Sequence, residues 1–483
     1  MRRTKIICTV GPVSESAEML RKLVEAGTDV FRLNFSHGTV TGHQTVMRRI
    51  RAVAEEIGKP VAILQDLPGP KIRLGVFKNG SVELHAGDPF CLTAEEVAGD
   101  HKHASVSYSK LPEEVRPGQS ILLADGTVEL EVESAAPREI VCRVVHGGVI
   151  TSHKGVNVVG GTSSLPAFTE RDQKLLLCGI EAGVDLVALS FVRASVDIQS
   201  ARSFLAAHQA KLPLMAKIEK LESLETIDEI LAVADSIMVA RGDLGIEVPI
   251  AQVPHIQKEL ISKAIQAAKP VVTATQMLHS MVENPRPSRA EVSDIANAVL
   301  DGSDALMLSE ESAVGAYPVE AVKVLAETAE VAERRLFAQR PLTSLSRASS
   351  VSISEAIAQA ASLVALQAKA TAIICCTRTG QTARLVAKYR PVQPVLAFSP
   401  EAQTVRQLML VWGVQPILSE EFTSIDTMIE AALELTYKNG VITPGDKVVI
   451  VAGAPAASQG QTDFLRVASF EPTSVTHLAD PHQ

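Results

Sequence analysis

The sequence predicts a closed (β/α)8 barrel carrying an inserted β-barrel domain and a C-terminal α/β domain, and three observations predict it. Short apolar strands alternate with amphipathic helices, and there are eight of them. About a hundred residues rich in Val, Gly and Pro interrupt the crossover that follows the third strand. A fresh strand–helix alternation starts after SRASS, near residue 350. Such alternation gives a parallel sheet with helical crossovers. A doubly wound open sheet would show the same local pattern, and the count of eight favours closure.

The strands are, in order, KIICTV, VFRLNFS, VAILQDL, VDLVALSFV, PLMAKIE, SIMVARGD, PVVTATQM and DALMLSEE. Between them SAEMLRKLVEAG, HQTVMRRIRAVAEEIG, IQSARSFLAAHQA and SLETIDEILAVA have helical periodicity, several closing on a Gly. GSVELHAGDPFCLTA, GQSILLADGTVELEVES and REIVCRVVHGGVI read as short antiparallel strands of the insert. The third unit runs from the helix SISEAIAQAASLVALQAKA through AIICCTRTG, PVLAFSP, KVVIVAG and FLRVASF, and the last residues, THLADPHQ, are expected to fray. The expected boundaries are 1–69 and 166–345 for the barrel, 70–165 for the insert and 346–483 for the third domain.

Composition narrows the function. With 46 Lys and Arg against 55 Asp and Glu, the net charge of -9 has the wrong sign for a nucleic-acid or anionic-membrane surface. An anionic ligand must therefore meet a local concentration of positive groups. The six cysteines show no C-x-x-C spacing and read as reduced core thiols. MRRTKIICTVGP has too short an apolar run for a secretory signal, and no segment reaches the length of a membrane span, so the cytoplasm is the expected location.

The carboxyl ends of parallel barrel strands converge on one face, and there this chain places its unexpected polar residues. LMAKIEK ends an apolar strand with Lys217 and Glu219, two apart and so on one face. Strand two ends in Arg32, Asn34 and Ser36, strand three at Asp66, and strand six in Arg241 and Asp243. Thr275 and Gln276 end strand seven; Ser309 and Glu311 end strand eight. Any one of these could be a solvated strand end, but six strands ending in polar groups indicate a shared cleft. Glu219 and Asp243 supply two oxygen ligands suited to a hard divalent cation, magnesium or manganese, that keeps several waters. Zinc fits poorly without His or Cys. Arg32, Lys217 and the metal would surround an anion, an arrangement that stabilises a transferring phosphoryl group.

Through these residues the chain resembles the pyruvate kinase family over nearly its full length. TKIICTVGP, FRLNFSHG, GPKIR, KGVN, AKIE, MVARGDLG, TATQML, NPRPSRAEVSDIANAVLDG and MLSEES are similar to that family's signatures in their usual order. The resemblance implies magnesium-dependent phosphoryl transfer from phosphoenolpyruvate to ADP, giving pyruvate and ATP. It implies that Arg32 and Lys217 contact the phosphoryl group, that Glu219 and Asp243 hold the metal, and that Gly242, Asp243 and Thr275 meet the substrate. Thr275, through water linked to Ser309, would protonate the enolate. Asn34, Ser36, His37, Arg73 and Lys154 match nucleotide-side positions, the last two on a lid formed by the insert. The family's habit also suggests a homotetramer.

Two departures carry expectations of their own. Potassium-requiring members have Thr after the Asp of strand three and Glu after the GP, where this chain has Leu67 and Lys71. The Lys71 ammonium could replace the monovalent cation in the region of Asn34, Ser36 and Asp66, so potassium is not expected to be required; an exposed hinge lysine is the plainer alternative. In the third domain Thr377, Arg378, Thr379, Gly380, Gln381 and Thr382 lie between a strand and a helix, where they could bind an effector phosphate or form a simple helix cap. The later loop GAPAASQGQTDF lacks the Trp and Arg of members activated by fructose 1,6-bisphosphate, which favours a sugar monophosphate or AMP. A magnesium-dependent lyase or aldolase acting on a 2-oxo acid, or a metabolite-sensing barrel without turnover, are the competing readings; the first leaves the insert and Lys154 unexplained.

Overall fold

The computed structural model describes residues 2–124, 126–160, 165–339, 352–422, 424–453 and 461–471. Eight parallel strands close into a barrel: β1 (Lys5–Thr9), β2 (Val30–Asn34), β3 (Ala62–Leu67), β4 (Leu186–Leu189), β5 (Leu214–Ile218), β6 (Ser236–Ala240), β7 (Val271–Ala274) and β8 (Ala305–Leu308). Each pairs with the next in sequence, and β8 returns to β1 with Lys5 opposite Ala305. These strands are buried on both faces, which explains their continuous rather than alternating hydrophobicity. Ile7, Val30, Leu64, Met215, Met238 and Met307 pack in one cluster with Met409 and Leu410 of the third domain.

The barrel helices begin and end where their caps dictate. Ser16 accepts a hydrogen bond from the Met19 N–H at the start of Ala17–Ala26, and Gly58 closes Val40–Ile57 with a left-handed φ of 68°. SLETIDEILAVA is not one helix but two, Leu221–Glu225 and Ile227–Val233. Thr226 breaks it: its backbone leaves helical geometry, and its hydroxyl donates to the carbonyl of Arg193 at 2.7 Å.

The insert is a curled six-stranded sheet, spanning Pro89–Val158, with a two-stranded ribbon that pairs Ser81–Leu84 with Gly148–Thr151. Its own core includes Phe90, Leu92, Leu130, Val132 and Ile140. It leaves the barrel at Gly69, where a φ of 63° would strain any other residue and a Cβ would crowd the Phe191 ring and the Ser190 carbonyl.

The third domain is a sheet in the order β11-β10-β9-β12-β13, from β9 (Ala372–Cys376), β10 (Val395–Ser399), β11 (Val414–Leu418), β12 (Lys447–Ala452) and β13 (Phe464–Ser469); only the last is antiparallel. It docks on the amino-terminal end of the barrel. Arg390 grips both oxygens of Asp304 at 2.9 Å, Arg406 reaches Asp185 at 2.7 Å, and the buried Lys5 ammonium donates to the Val414 carbonyl at 2.7 Å. The expected boundary at 345/346 and the tail THLADPHQ lie outside the described residues. All six cysteines are free, four of them buried and Cys91 and Cys178 half-buried. Among the described residues, no helix is long and apolar enough to cross a membrane.

Candidate active site

At the carboxyl end of the barrel, four charged side chains from three strands meet with little access to water. Arg32 leaves β2 and donates through Nε to Asp66 at 2.7 Å, with Nη1 on the Thr9 hydroxyl at 2.9 Å. Lys217 leaves β5 and lies 2.8 Å from Glu219 and 3.4 Å from Asp66. Asp66 and Glu219 are 2% and 1% exposed, so neither carboxylate has water as its main partner. Burial raises the Asp66 pKa, but Lys217 and Arg32 outweigh it, and the carboxylate lies below its ordinary value. Lys217 is the converse: burial lowers it, Asp66 and Glu219 more than compensate, and the ammonium is held above its usual range.

Glu219 is pushed upward, first by burial and further by the neighbouring charge of Asp243, against the pull of Lys217. A second carboxylate that raises the cost of ionising buried Glu219 marks a position where a dication would be favoured, and an oxygen-only donor set would suit magnesium or manganese. Among the described residues, no group of three or more His, Cys, Asp or Glu is arranged to hold an ion. The second oxygen of Glu219 accepts from the Phe191 N–H at 2.7 Å, which fixes the carboxylate plane.

The rim beyond the strands is built from turns. Arg241 and Asp243 lie on the short helix Arg241–Glu247 rather than on β6. Arg241 is not a cleft cation, as its sequence position suggested. Its guanidinium is spent on the carbonyls of Ala274 and Thr275 and on Asp294, so it braces the end of β7. Glu311 likewise turns inward, accepting the N–H groups of Leu278 and Ser309 at 3.0 and 2.7 Å. Thr275 and Gln276 both have positive φ, 69° and 54°, uncommon for residues with a Cβ and a mark of a turn held by its surroundings. In that turn the Thr275 hydroxyl accepts the Gly242 N–H at 2.9 Å. Ser309 follows the adjacent strand β8, and no direct hydrogen bond joins it to Thr275 among the described residues.

The residues expected on the nucleotide side fall into two groups. After β2, the Asn34 side chain accepts the Ser36 N–H at 3.1 Å and its carbonyl accepts the His37 N–H, leaving His37 exposed. Arg73 and Lys154 face each other across the base of the insert: Arg73 Nη1 donates to the His153 carbonyl, and Leu74 N–H to that of Lys154. Lys71 is exposed at the hinge, where it lines a small cavity of about 30 Å³ with Arg193 and Lys220.

Reading strand ends missed Ser190. It directly follows β4, is 3% exposed, accepts from the Lys217 ammonium at 2.7 Å and donates to the Leu67 carbonyl at 2.8 Å. Its place after VAL, matching the other polar strand ends, was the available signal. The Phe191 N–H has no side-chain signal, because a φ of 56° presents it to Glu219.

In the third domain the loop of residues 377–382 uses much of its own polarity. Thr377 accepts the Gly380 N–H at 3.0 Å, Thr382 is buried against the Thr462 hydroxyl, and Arg378 pairs with Glu401 and Glu421. Thr379 gives its carbonyl to Arg384, Gly380 has a φ of 80°, and Gln381 opens the helix Gln381–Lys388. Most of GAPAASQGQTDF, residues 454–460, lies outside the described residues.

Comparison with known proteins gives one consistent result. Residues 1–322 match the family model described as pyruvate kinase, barrel domain, and residues 355–468 match pyruvate kinase, alpha/beta domain. Pyruvate kinase 2 of Synechocystis sp. is 47% identical over 96% of this chain and 79% of its own length. The pyruvate kinase of Clostridium perfringens is 42% identical over 97% of this chain and 99% of its own. A crystal structure of a pyruvate kinase from Cryptosporidium parvum superposes with a TM-score of 0.90 at 36% identity, covering 97% of this chain and 96% of the other.

Proposed function

The chain belongs to the pyruvate kinase family and is an enzyme of that activity, acting on phosphoenolpyruvate and ADP with a divalent metal; we propose that the metal is magnesium, with manganese able to replace it, and that Glu219 and Asp243 hold it. The observation that carries this reading is the buried cluster of Arg32, Asp66, Lys217 and Glu219 beside Asp243. When bound, the dication would neutralise charge on the phosphoryl oxygens.

The side chains then divide the work. Arg32 and Lys217 bind the phosphoryl oxygens, and Lys217 stays charged because Asp66 and Glu219 hold its proton. As the terminal oxygen of ADP bonds to phosphorus, the bond from phosphorus to the enol oxygen breaks, and Lys217 neutralises charge in the transition state. Ser190 and Asp66 fix where that ammonium points. Gly242 and Thr275 meet the substrate carboxylate, and Thr275, through water linked to Ser309, protonates the enolate at its methylene carbon. Asn34, Ser36, His37, Arg73 and Lys154 bind ADP, and the insert, taken as residues 70–165 between barrel segments 1–69 and 166–345, closes over the cleft and excludes water.

Lys217→Ala should lower kcat by about a hundredfold to a thousandfold, the usual loss on removing one preorganised partner from a dry site. A variant within about threefold of wild type in a coupled pyruvate assay would contradict the assignment.

Potassium is not required in this proposal: Leu67 offers no side-chain oxygen, its carbonyl is taken by Ser190, and Lys71 supplies a fixed positive charge at the hinge. Large stimulation by potassium in sodium-free buffer would refute it. We further propose regulation by a sugar monophosphate or AMP through the loop of residues 377–382 in a third domain running from 346 to 483, assembly as a homotetramer, and a cytoplasmic location. An unchanged rate with every such effector at low phosphoenolpyruvate would count against the regulatory loop.

A further inference from the structure

The short helix Arg241–Glu247 carries Asp243, whose side chain has no hydrogen bond or ion pair among the described residues. Glu219, by contrast, is fixed by Lys217 and by the Phe191 N–H. Where the Asp243 carboxylate stands therefore depends on where its helix is held. A helix of 7 residues is too short to be stable by itself, so its place is set by what it is tied to. At its start Arg241 donates to the Ala274 and Thr275 carbonyls and pairs with Asp294. In its middle Leu244 is fully buried. At its end Glu247, 4% exposed, forms an ion pair with Lys220.

Both members of that pair are neighbours of the carboxylates assigned to the metal. Lys220 directly follows Glu219, and its backbone is itself held, with its carbonyl accepting the Ser223 hydroxyl at 2.5 Å and the Ser223 N–H at 3.2 Å. Glu247 comes four residues after Asp243, on the same face of the helix. Stability alone does not account for the pair. Burial raises the Glu247 pKa against the pull of Lys220, Glu222 and Asp243 raise it further, and its second oxygen has no hydrogen-bond partner among the described residues. A buried ion pair with an unsatisfied oxygen contributes little net stability compared with apolar side chains of similar size, but it does fix a direction and a distance.

We propose that the Lys220–Glu247 pair is a positioning device for the divalent ion: by tying the end of β5 to the end of the Asp243 helix, it sets the separation of the Glu219 and Asp243 carboxylates. Both residues act through the backbone rather than on the ion. The inference rests on the assignment of the ion to Glu219 and Asp243.

Manganese titration of the full-length, chelator-treated protein, followed by electron paramagnetic resonance, tests it in wild type, Asp243→Asn, Glu247→Asp and the double variant Lys220→Met with Glu247→Met. The double variant removes one charge of each sign, so net charge near the site is unchanged and a fall in affinity reports geometry. It should bind manganese about 10- to 100-fold more weakly, the usual effect of losing a support behind a metal ligand. It should nevertheless unfold within about 3 °C of wild type or above it, because apolar side chains of similar volume replace the pair. Glu247→Asp keeps both charges but shortens the arm by one methylene, and should weaken manganese by at least about threefold. A pair with only a structural role would leave manganese affinity within about twofold of wild type in the double variant, or in Glu247→Asp should the double variant not fold. That result, with Asp243→Asn still weakened, would overturn this inference alone. A wild-type protein without a tight manganese site, or one whose affinity Asp243→Asn leaves unchanged, would overturn the metal assignment and this inference with it.

Discussion

Asp66→Asn tests the catalytic cluster at its least obvious member. The carboxylate lies 2.7 Å from Arg32 and 3.4 Å from Lys217, and is 2% exposed. At an effective dielectric of about 20, those separations correspond to gross attractions of about 6 and 5 kcal/mol. Desolvation offsets much of this, and breaking one partner of such a buried set typically costs about 3 to 5 kcal/mol. Asparagine keeps the shape but not the chemistry: with its carbonyl turned to Arg32, its amide protons face the Lys217 ammonium, a donor against a donor. Lys217 should then shift toward Glu219, and a displacement of about 1 Å in a positioned catalytic group costs roughly a hundredfold in rate. The expected result is a stability loss of about 3 to 5 kcal/mol by urea titration and a fall of about a hundredfold in kcat in a coupled pyruvate assay. Fluorescence of the single tryptophan, Trp412, reports whether the buried contact between barrel and third domain is intact. A variant with native fluorescence and kcat within threefold of wild type would refute the reasoning, because Lys217 would then not depend on Asp66 for its place.

Thr275→Ala should impair protonation of the enolate more than phosphoryl transfer, so detritiation of labelled pyruvate should fall further than ATP formation; equal losses contradict the assigned role. Lys5 sets a pH dependence of stability. Burial draws its pKa from 10.5 down to about 8 despite the charge of Asp29, so between those values the unfolded chain binds the proton that the folded chain has released. Stability should therefore rise with pH across that window, by about 3 kcal/mol from this group. Lys5→Met should remove that rise, and denaturant titrations of both proteins from pH 7.5 to 10.5 should diverge in slope; parallel curves would contradict a depressed pKa.

The parallel sheet was legible because eight apolar runs such as KIICTV and PLMAKIE are buried on both faces, and only their number favoured a closed barrel over a doubly wound open sheet. The cluster was legible for the same reason: Lys217, Glu219 and Asp66 stand out against apolar strands. What the strand pattern could not show is which way a polar side chain turns after the strand ends. Arg241 and Glu311 have the same signature as Asp243, yet both spend their charge on backbone groups around the end of β7. Phe191 was invisible because its contribution is an N–H set by backbone torsion. The break at Thr226 escaped periodicity because the apolar spacing continues through it while a long-range bond to the Arg193 carbonyl ends the helix. The Lys220–Glu247 pair joins a strand end to a helix end, which no local pattern connects.

The central claim is that Glu219 and Asp243 together hold one divalent ion beside Lys217. Electron paramagnetic resonance of manganese added to the chelator-treated protein measures this directly, without reliance on turnover. One tight site per chain is expected, weakened by at least about tenfold in both Glu219→Gln and Asp243→Asn, as follows from losing one of two charged oxygen ligands. Manganese binding that is unchanged in either variant, or full activity remaining in excess chelator, would contradict the account.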